Sequence, residues 1–190
     1  LLQVRDLRVR FGAKEVVRGV DFAIAPGEKL ALVGESGSGK TITALSLLRL
    51  VADAEISGEA LWDQRNMLSF SERSMRALRG GEIAMVFQEP MTALNPLLTV
   101  GAQIAEVLQL KRGQTAAEAT EGAIALLAKT GIPEPERRAQ ALPHQLSGGQ
   151  RQRAMIAMAL ASAPRLLLAD EPTTALDVTL RGQILDLLSE

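Results

Sequence analysis

The chain has 190 residues, with 21 Lys+Arg against 22 Asp+Glu, one His, and neither Cys nor Tyr. This balance gives no basic footprint for nucleic acid over the whole chain, and the absence of Cys excludes disulfides, thiolate-bound metals and thiol catalysis within it. No apolar run reaches the ~18 residues that span a bilayer, and the start, Leu1-Leu2-Gln3-Val4-Arg5-Asp6, lacks the apolar core of a signal peptide. The expectation is a soluble, cytoplasmic, single-domain chain that buries roughly 70% of its unfolded surface. It begins without Met, which suggests trimming at this end.

Residues 2–11 alternate through Leu2, Val4, Leu7, Val9 and Phe11, as a half-buried strand does. Gly12-Ala13 breaks that run, and 15–24 reads as a second strand. Ala25-Pro26-Gly27-Glu28 marks a turn. Lys29-Leu30-Ala31-Leu32-Val33 is a short apolar run of the kind found in strands buried on both faces of a parallel sheet. A glycine-rich stretch, 34–39, follows it, and a helical pattern runs on to about Leu50. Residues 56–62 and 83–87 read as strands, with a helix over 71–79 whose Glu72, Arg73, Arg76 and Arg79 suit a solvated face. From 91 to 163 the texture is helical, with helices expected at 97–110, 115–130 and 148–162 and breaks at Gly131-Ile132-Pro133 and Ala141-Leu142-Pro143. Arg165 to Asp170 is a last apolar strand, and a helix is expected from Val178. The pattern is an α/β core, 1–90 with 164–190, interrupted by a helical subdomain, 91–163.

Gly34-Glu35-Ser36-Gly37-Ser38-Gly39-Lys40-Thr41 fits G-x-x-x-x-G-K-[ST], between an expected strand and an expected helix. Glycines at φ > 0 let backbone N–H groups turn toward phosphate oxygens, and the helix directs its positive end at the same anion. Lys40 is placed to neutralise the β- and γ-phosphates and Thr41 to offer a hydroxyl to Mg2+; Thr43 belongs to the same candidate ATP site. Alone, this motif indicates only a nucleoside triphosphate. Asp170-Glu171 at the end of the last strand adds to it. Asp170 suits a Mg2+ ligand and Glu171 a general base for the attacking water.

Leu146-Ser147-Gly148-Gly149-Gln150, followed by Arg151-Gln152-Arg153, falls between these motifs. In that order the chain resembles the nucleotide-binding domain of an ATP-binding cassette (ABC) protein over essentially its whole length. The resemblance implies a P-loop NTPase (RecA-like) core with a mostly parallel sheet, N-terminal antiparallel strands and an inserted helical subdomain. It also implies a head-to-tail dimer in which Leu146, Ser147, Gly148, Gly149 and Gln150 meet ATP held by the second cassette. Ser147 would also cap its own helix, and the helix start and glycine N–H groups suit a phosphate. Gln88 matches the family's Q-loop glutamine, which bears on catalysis, Mg2+ and the transmembrane partner. Thr173 to Asp177 resembles the D-loop, with Asp177 at the dimer interface. Phe11 lies where an aromatic stacks on adenine, and Arg151 and Arg153 read as helix-surface arginines.

Gln88-Glu89-Pro90-Met91-Thr92-Ala93-Leu94-Asn95-Pro96 and Pro143-His144-Gln145 are similar to the oligopeptide/dipeptide/nickel importer branch. The resemblance implies an ATPase subunit, peripheral at the cytoplasmic face of the membrane, working with permease subunits and indirectly with a solute-binding protein. A soluble ABC ATPase of DNA repair or chromosome organisation shares the motifs, but the stretch 88–146 holds no sustained heptads for a long coiled coil. The one histidine, His144, precedes the signature and cannot be the family's switch histidine, which follows the D-loop on a later strand. With the sequence stopping at Glu190, a fragment that binds ATP and hydrolyses it slowly is the remaining reading, with a strand missing from the core sheet.

Overall fold

The computed structural model describes residues 1–89, 93–172, 182 and 184. By contact density the chain divides into Leu1–Arg79 and Gly80–Glu190. The first unit is built on an antiparallel sheet of four strands in the order β2-β1-β3-β4: β1 (Leu2–Phe11), β2 (Lys14–Ile24), β3 (Glu55–Trp62) and β4 (Arg65–Asn66). The apolar residues of β1 change parity part-way, from Leu2 and Val4 to Leu7 and Val9, yet all are buried. The register of β1 shifts against both neighbours over this stretch, and Asp6 takes φ 43°. An extra residue in a strand restores the inward face after an odd spacing. Asp21 Oδ1 accepts the Asp6 N–H at 3.0 Å. Gly58 is required beside the bulge: a Cβ there would lie 2.3 Å from the Asp6 carbonyl oxygen.

α1 (Lys40–Leu47) packs against β1 and β2. It ends earlier than the sequence pattern suggests. The carbonyls just past its end are met by Arg79, which follows α2 (Glu72–Leu78): Nε donates to Leu48 O at 2.7 Å and Nη2 to Arg49 O at 3.3 Å, while Nη1 donates to Glu72 at 2.7 Å. Glu72, Arg73 and Arg76 do face solvent, but Arg79 is half-buried and ties the two helices. Arg79 holds the Glu72 carboxyl below the usual range.

The strand expected at 29–33 does not form. Residues 28–35 carry no strand pairing among the described residues, and Leu30, Leu32 and Val33 are 43%, 42% and 92% exposed. An apolar run reports what its side chains favour, but a strand exists only through lateral hydrogen-bond partners, and these the pattern cannot supply.

In the second unit β5 (Ile83–Val86) pairs in parallel with β6 (Leu166–Ala169), the one sheet of this unit among the described residues. The helices are α3 (Val100–Arg112), α4 (Ala116–Lys129), α5 (Pro135–Ala139) and α6 (Gly148–Leu160). α3 starts later than its periodicity suggests because Thr99 caps it, accepting the Ala102 N–H, and it ends on Gly113 at φ 66°. One core joins α3, α4 and α6 through Ile104, Leu108, Ala123, Leu127, Leu146 and Ala154. A second places Met155, Ile156 and Ala159 of α6 against Ala84 and Val86 of β5. The helix expected from Val178 lies outside the described residues, apart from the helical positions 182 and 184. Among the described residues no helix is long and apolar enough to cross a membrane.

Candidate nucleotide site

The phosphate-loop candidates lie in the first unit. Gly34 to Ser38 are exposed, and Gly37 and Gly39 take φ 79° and 95°. Gly39 is the N-cap of α1 and brings no side-chain cap, whereas Thr99, Thr115 and Ser147 cap α3, α4 and α6 with their hydroxyls. The start of α1 is therefore open to an external acceptor. Lys40 Nζ donates to Gly34 O at 2.8 Å and Glu35 O at 2.9 Å, which folds the ammonium over its own loop. Thr41, the candidate hydroxyl for Mg2+, is half-buried in the first turn. Thr43 is buried: its N–H and its hydroxyl both donate to Gly39 O, at 2.8 and 2.9 Å, so it braces the end of the loop. Phe11 is half-buried at the end of β1, opposite Lys14 across the hairpin.

The second unit holds the amide and carboxylate candidates. Parallel pairing of β5 and β6 sets their C-terminal ends side by side, and the Asp170 N–H extends the ladder to Val86 O at 2.9 Å. Gln88, two residues past β5, donates through Nε2 to Glu171 Oε2 at 3.1 Å. Residues distant in sequence thus meet because two strands run in register. Glu171 takes φ 48°, in the left-handed region that a Cβ disfavours and that several other non-glycine residues of this chain also adopt. Asp170 is half-buried, whereas Glu171 and Gln88 are exposed. Among the described residues no three His, Cys, Asp or Glu gather into a group able to hold a metal by themselves.

The signature residues open α6. Ser147 Oγ accepts the Gln150 N–H at 3.2 Å and Gln150 Oε1 accepts the Ser147 N–H at 3.0 Å, a reciprocal cap. Leu146 is buried in the helical core and anchors this turn, while Gly148 and Gly149 are half-buried. A Cβ on Gly148 would meet nothing within 4 Å, so the backbone there is approachable. Asp177 and the rest of the expected D-loop lie outside the described residues.

The family model described as "ABC transporter" matches residues 17–174. The chain belongs to the ABC transporter family. Curated relatives include the peptidoglycan transport ATP-binding protein YejF of Agrobacterium fabrum, 57% identical over 100% of this chain and 36% of its own length. The oligopeptide transport ATP-binding protein OppD of Salmonella typhimurium is 48% identical over 100% of this chain and 58% of its own length. The chain thus spans about a third to three-fifths of the relatives it matches. Among solved structures, the ATP-binding cassette MJ0796 in a dimeric, post-hydrolysis state bound to ADP and Pi aligns with a TM-score of 0.88 and 31% identity. That alignment covers 99% of this chain and 81% of the cassette. It bears out the α/β cassette fold.

Two residues of α6 have places that differ from a helix-surface reading. Arg153, expected on the helix surface, is buried: Nε donates to Gly149 O at 3.3 Å and Nη1 donates to Gly131 O. Five guanidinium donors can be matched by carbonyls at a helix end and a turn, which makes burial tolerable. Gln152 is fully buried and donates to Glu171 O at 3.4 Å. The signal for Gln152 was present in its spacing, since 152, 155, 156 and 159 form one stripe at i, i+3, i+4 and i+7 whose other members are apolar.

Proposed function

We propose that the chain is the ATP-binding and ATP-hydrolysing cassette of a transporter for peptides or similar solutes. MgATP drives head-to-tail dimerisation with a second cassette, and hydrolysis reopens the pair. Residues 1–90 and 164–190 hold the nucleotide and 91–163 carries the signature. The observation that carries this reading is the hydrogen bond between Gln88 and Glu171 at the ends of adjacent parallel strands. It puts an amide and a carboxylate together where α/β sheets bind ligands, beyond the carboxyl ends of their strands. Within the first unit, the glycine-rich start of α1, without a side-chain cap, suits an anion.

In this mechanism the loop 34–39 wraps the phosphates with backbone N–H groups, and Lys40 exchanges the Gly34 and Glu35 carbonyls for phosphate oxygens. Phe11 offers a ring to the base. Mg2+, when bound, would supply neutralisation of phosphate charge. The Asp170 carboxylate and the Gln88 amide oxygen are the donors of the second unit that would suit it, and the Thr41 hydroxyl is the one the first unit offers. So small a donor set fits an ion that takes its other ligands from phosphate and water. Glu171 accepts a proton from the attacking water. Ser147 and the Gly148 and Gly149 N–H groups contact ATP of the second cassette. Positioning and charge supply the acceleration.

The partners are a second cassette and permease subunits, with a solute-binding protein acting through them. The place of action is the cytoplasmic face of the membrane. The relatives named for peptidoglycan and oligopeptide transport support the peptide-like cargo. The test is phosphate release from MgATP by the intact protein with its permease. A fall of about 10²- to 10⁴-fold in the rate of Glu171→Gln, with ATP binding retained, is the expected result. Wild-type complex that binds ATP without releasing phosphate would refute the hydrolytic role.

A further inference from the structure

We infer that Gln152 is a positioning residue for Glu171, and that through it the signature helix sets the alignment of the general base on its own strand. The inference rests on the base role proposed above and deepens it. Glu171 sits at φ 48°, directly after Asp170, whose N–H closes the last bond of the β5–β6 ladder. A side chain leaving such a backbone points where the neighbouring peptide is held, so whatever holds the Glu171 peptide also aims its carboxylate. Gln152 Nε2 donates to the Glu171 carbonyl oxygen, and Gln88 Nε2 donates to the Glu171 carboxylate. One amide thus supports the backbone and the other the side-chain tip.

The support is stiff. Gln152 is 0% exposed, at the head of the stripe by which Met155, Ile156 and Ala159 pack on β5. A buried amide without partners is costly, which favours retention of its contacts. The same helix begins with the Ser147–Gln150 reciprocal cap. Ser147 and Gln152 are therefore five residues apart on one rigid element. In the proposed dimer the first faces the partner's nucleotide while the second braces the base that acts on the chain's own. A movement of α6 on engaging the partner's ATP would be delivered to Glu171 through this contact.

The test uses the intact protein and the substitution Gln152→Met, which keeps length and volume and removes the donor. Phosphate release is expressed per ATP bound, so an unfolded fraction does not count. A base displaced by about an ångström loses on the order of 10- to 100-fold in kcat while ATP affinity stays unchanged. In a Glu171→Gln background the same substitution should cost less than about twofold, because the group it positions is gone. Gln152→Asn, which withdraws the amide by one methylene, should behave alike and serves if the first variant does not fold. A folded Gln152→Met with wild-type kcat, or an equal loss in both backgrounds, would overturn the proposal. Failure of both variants to fold would assign Gln152 to stability alone and contradict it as well. If Glu171→Gln itself retained full kcat, the base role would fall and this inference with it.

Discussion

Gly39 joins two demands in one position. It holds φ 95°, and a Cβ there would lie 3.2 Å from Val16 O and 3.4 Å from a Val17 methyl. Gly39→Ala should therefore destabilise by about 1–3 kcal/mol, seen as a lower unfolding midpoint in denaturant titration. Lys40→Ala removes the cation while leaving that backbone untouched. ATP affinity should fall by tenfold or more, on the order of one charge-assisted contact, with the unfolding midpoint barely changed. Equilibrium nucleotide titration separates the two substitutions. Residues of this loop were legible in the sequence because their chemistry depends on residue type and spacing alone. Gln152 and Arg153 were less so. Each is polar in a helix whose surroundings are decided by other elements, and neither the Glu171 nor the Gly131 carbonyl is near them in sequence.

Elements carry the next set of consequences. Ser147→Ala removes the hydroxyl that caps α6 and should cost about 1 kcal/mol of stability, apart from any effect on nucleotide. Measuring the unfolding midpoint without ATP isolates this structural share. α4 carries a pH-dependent cap. Glu118 accepts from the Thr115 N–H and hydroxyl, each at 2.8 Å, and these bonds hold its carboxyl below the usual range. A carboxyl whose folded value is depressed stabilises fully above its ordinary value and loses that contribution as pH falls through the folded one. The thermal midpoint of wild type should therefore exceed that of Glu118→Ala at neutral pH, and the gap should narrow on acidification below the carboxylate range. An unchanged gap would disconnect the cap from the charge. Strands β1, β3, β5 and β6 were legible from alternation and short apolar runs, and even the β1 bulge left a mark in the odd spacing between Val4 and Leu7. The run 29–33 was misread because its apolar pattern says nothing about lateral partners. The start of α3 shifted because the Thr99 cap outweighed periodicity, whereas α6 begins at Gly148 as its sequence suggests, after the Ser147 cap.

At the scale of the whole molecule, the chain is an ABC family member whose two units each hold part of the proposed machinery. The glycine-rich loop lies in one, while the carboxylates, the Q-loop glutamine and the signature lie in the other. The signature lies at a helix start where Ser147 is exposed and the Gly148 backbone is approachable, which suits a ligand held by a second copy or a paralogous cassette. Solved cassettes such as MJ0796, described as dimeric, are similar in fold. In the proposed cycle MgATP joins two such cassettes and Glu171 is needed to part them. Sedimentation velocity of the intact Glu171→Gln protein tests it most directly. A shift from monomer to dimer on adding MgATP, reversed when Lys40→Ala is combined with it, is the predicted result. A protein that binds MgATP at saturation and still sediments as a monomer would contradict the account.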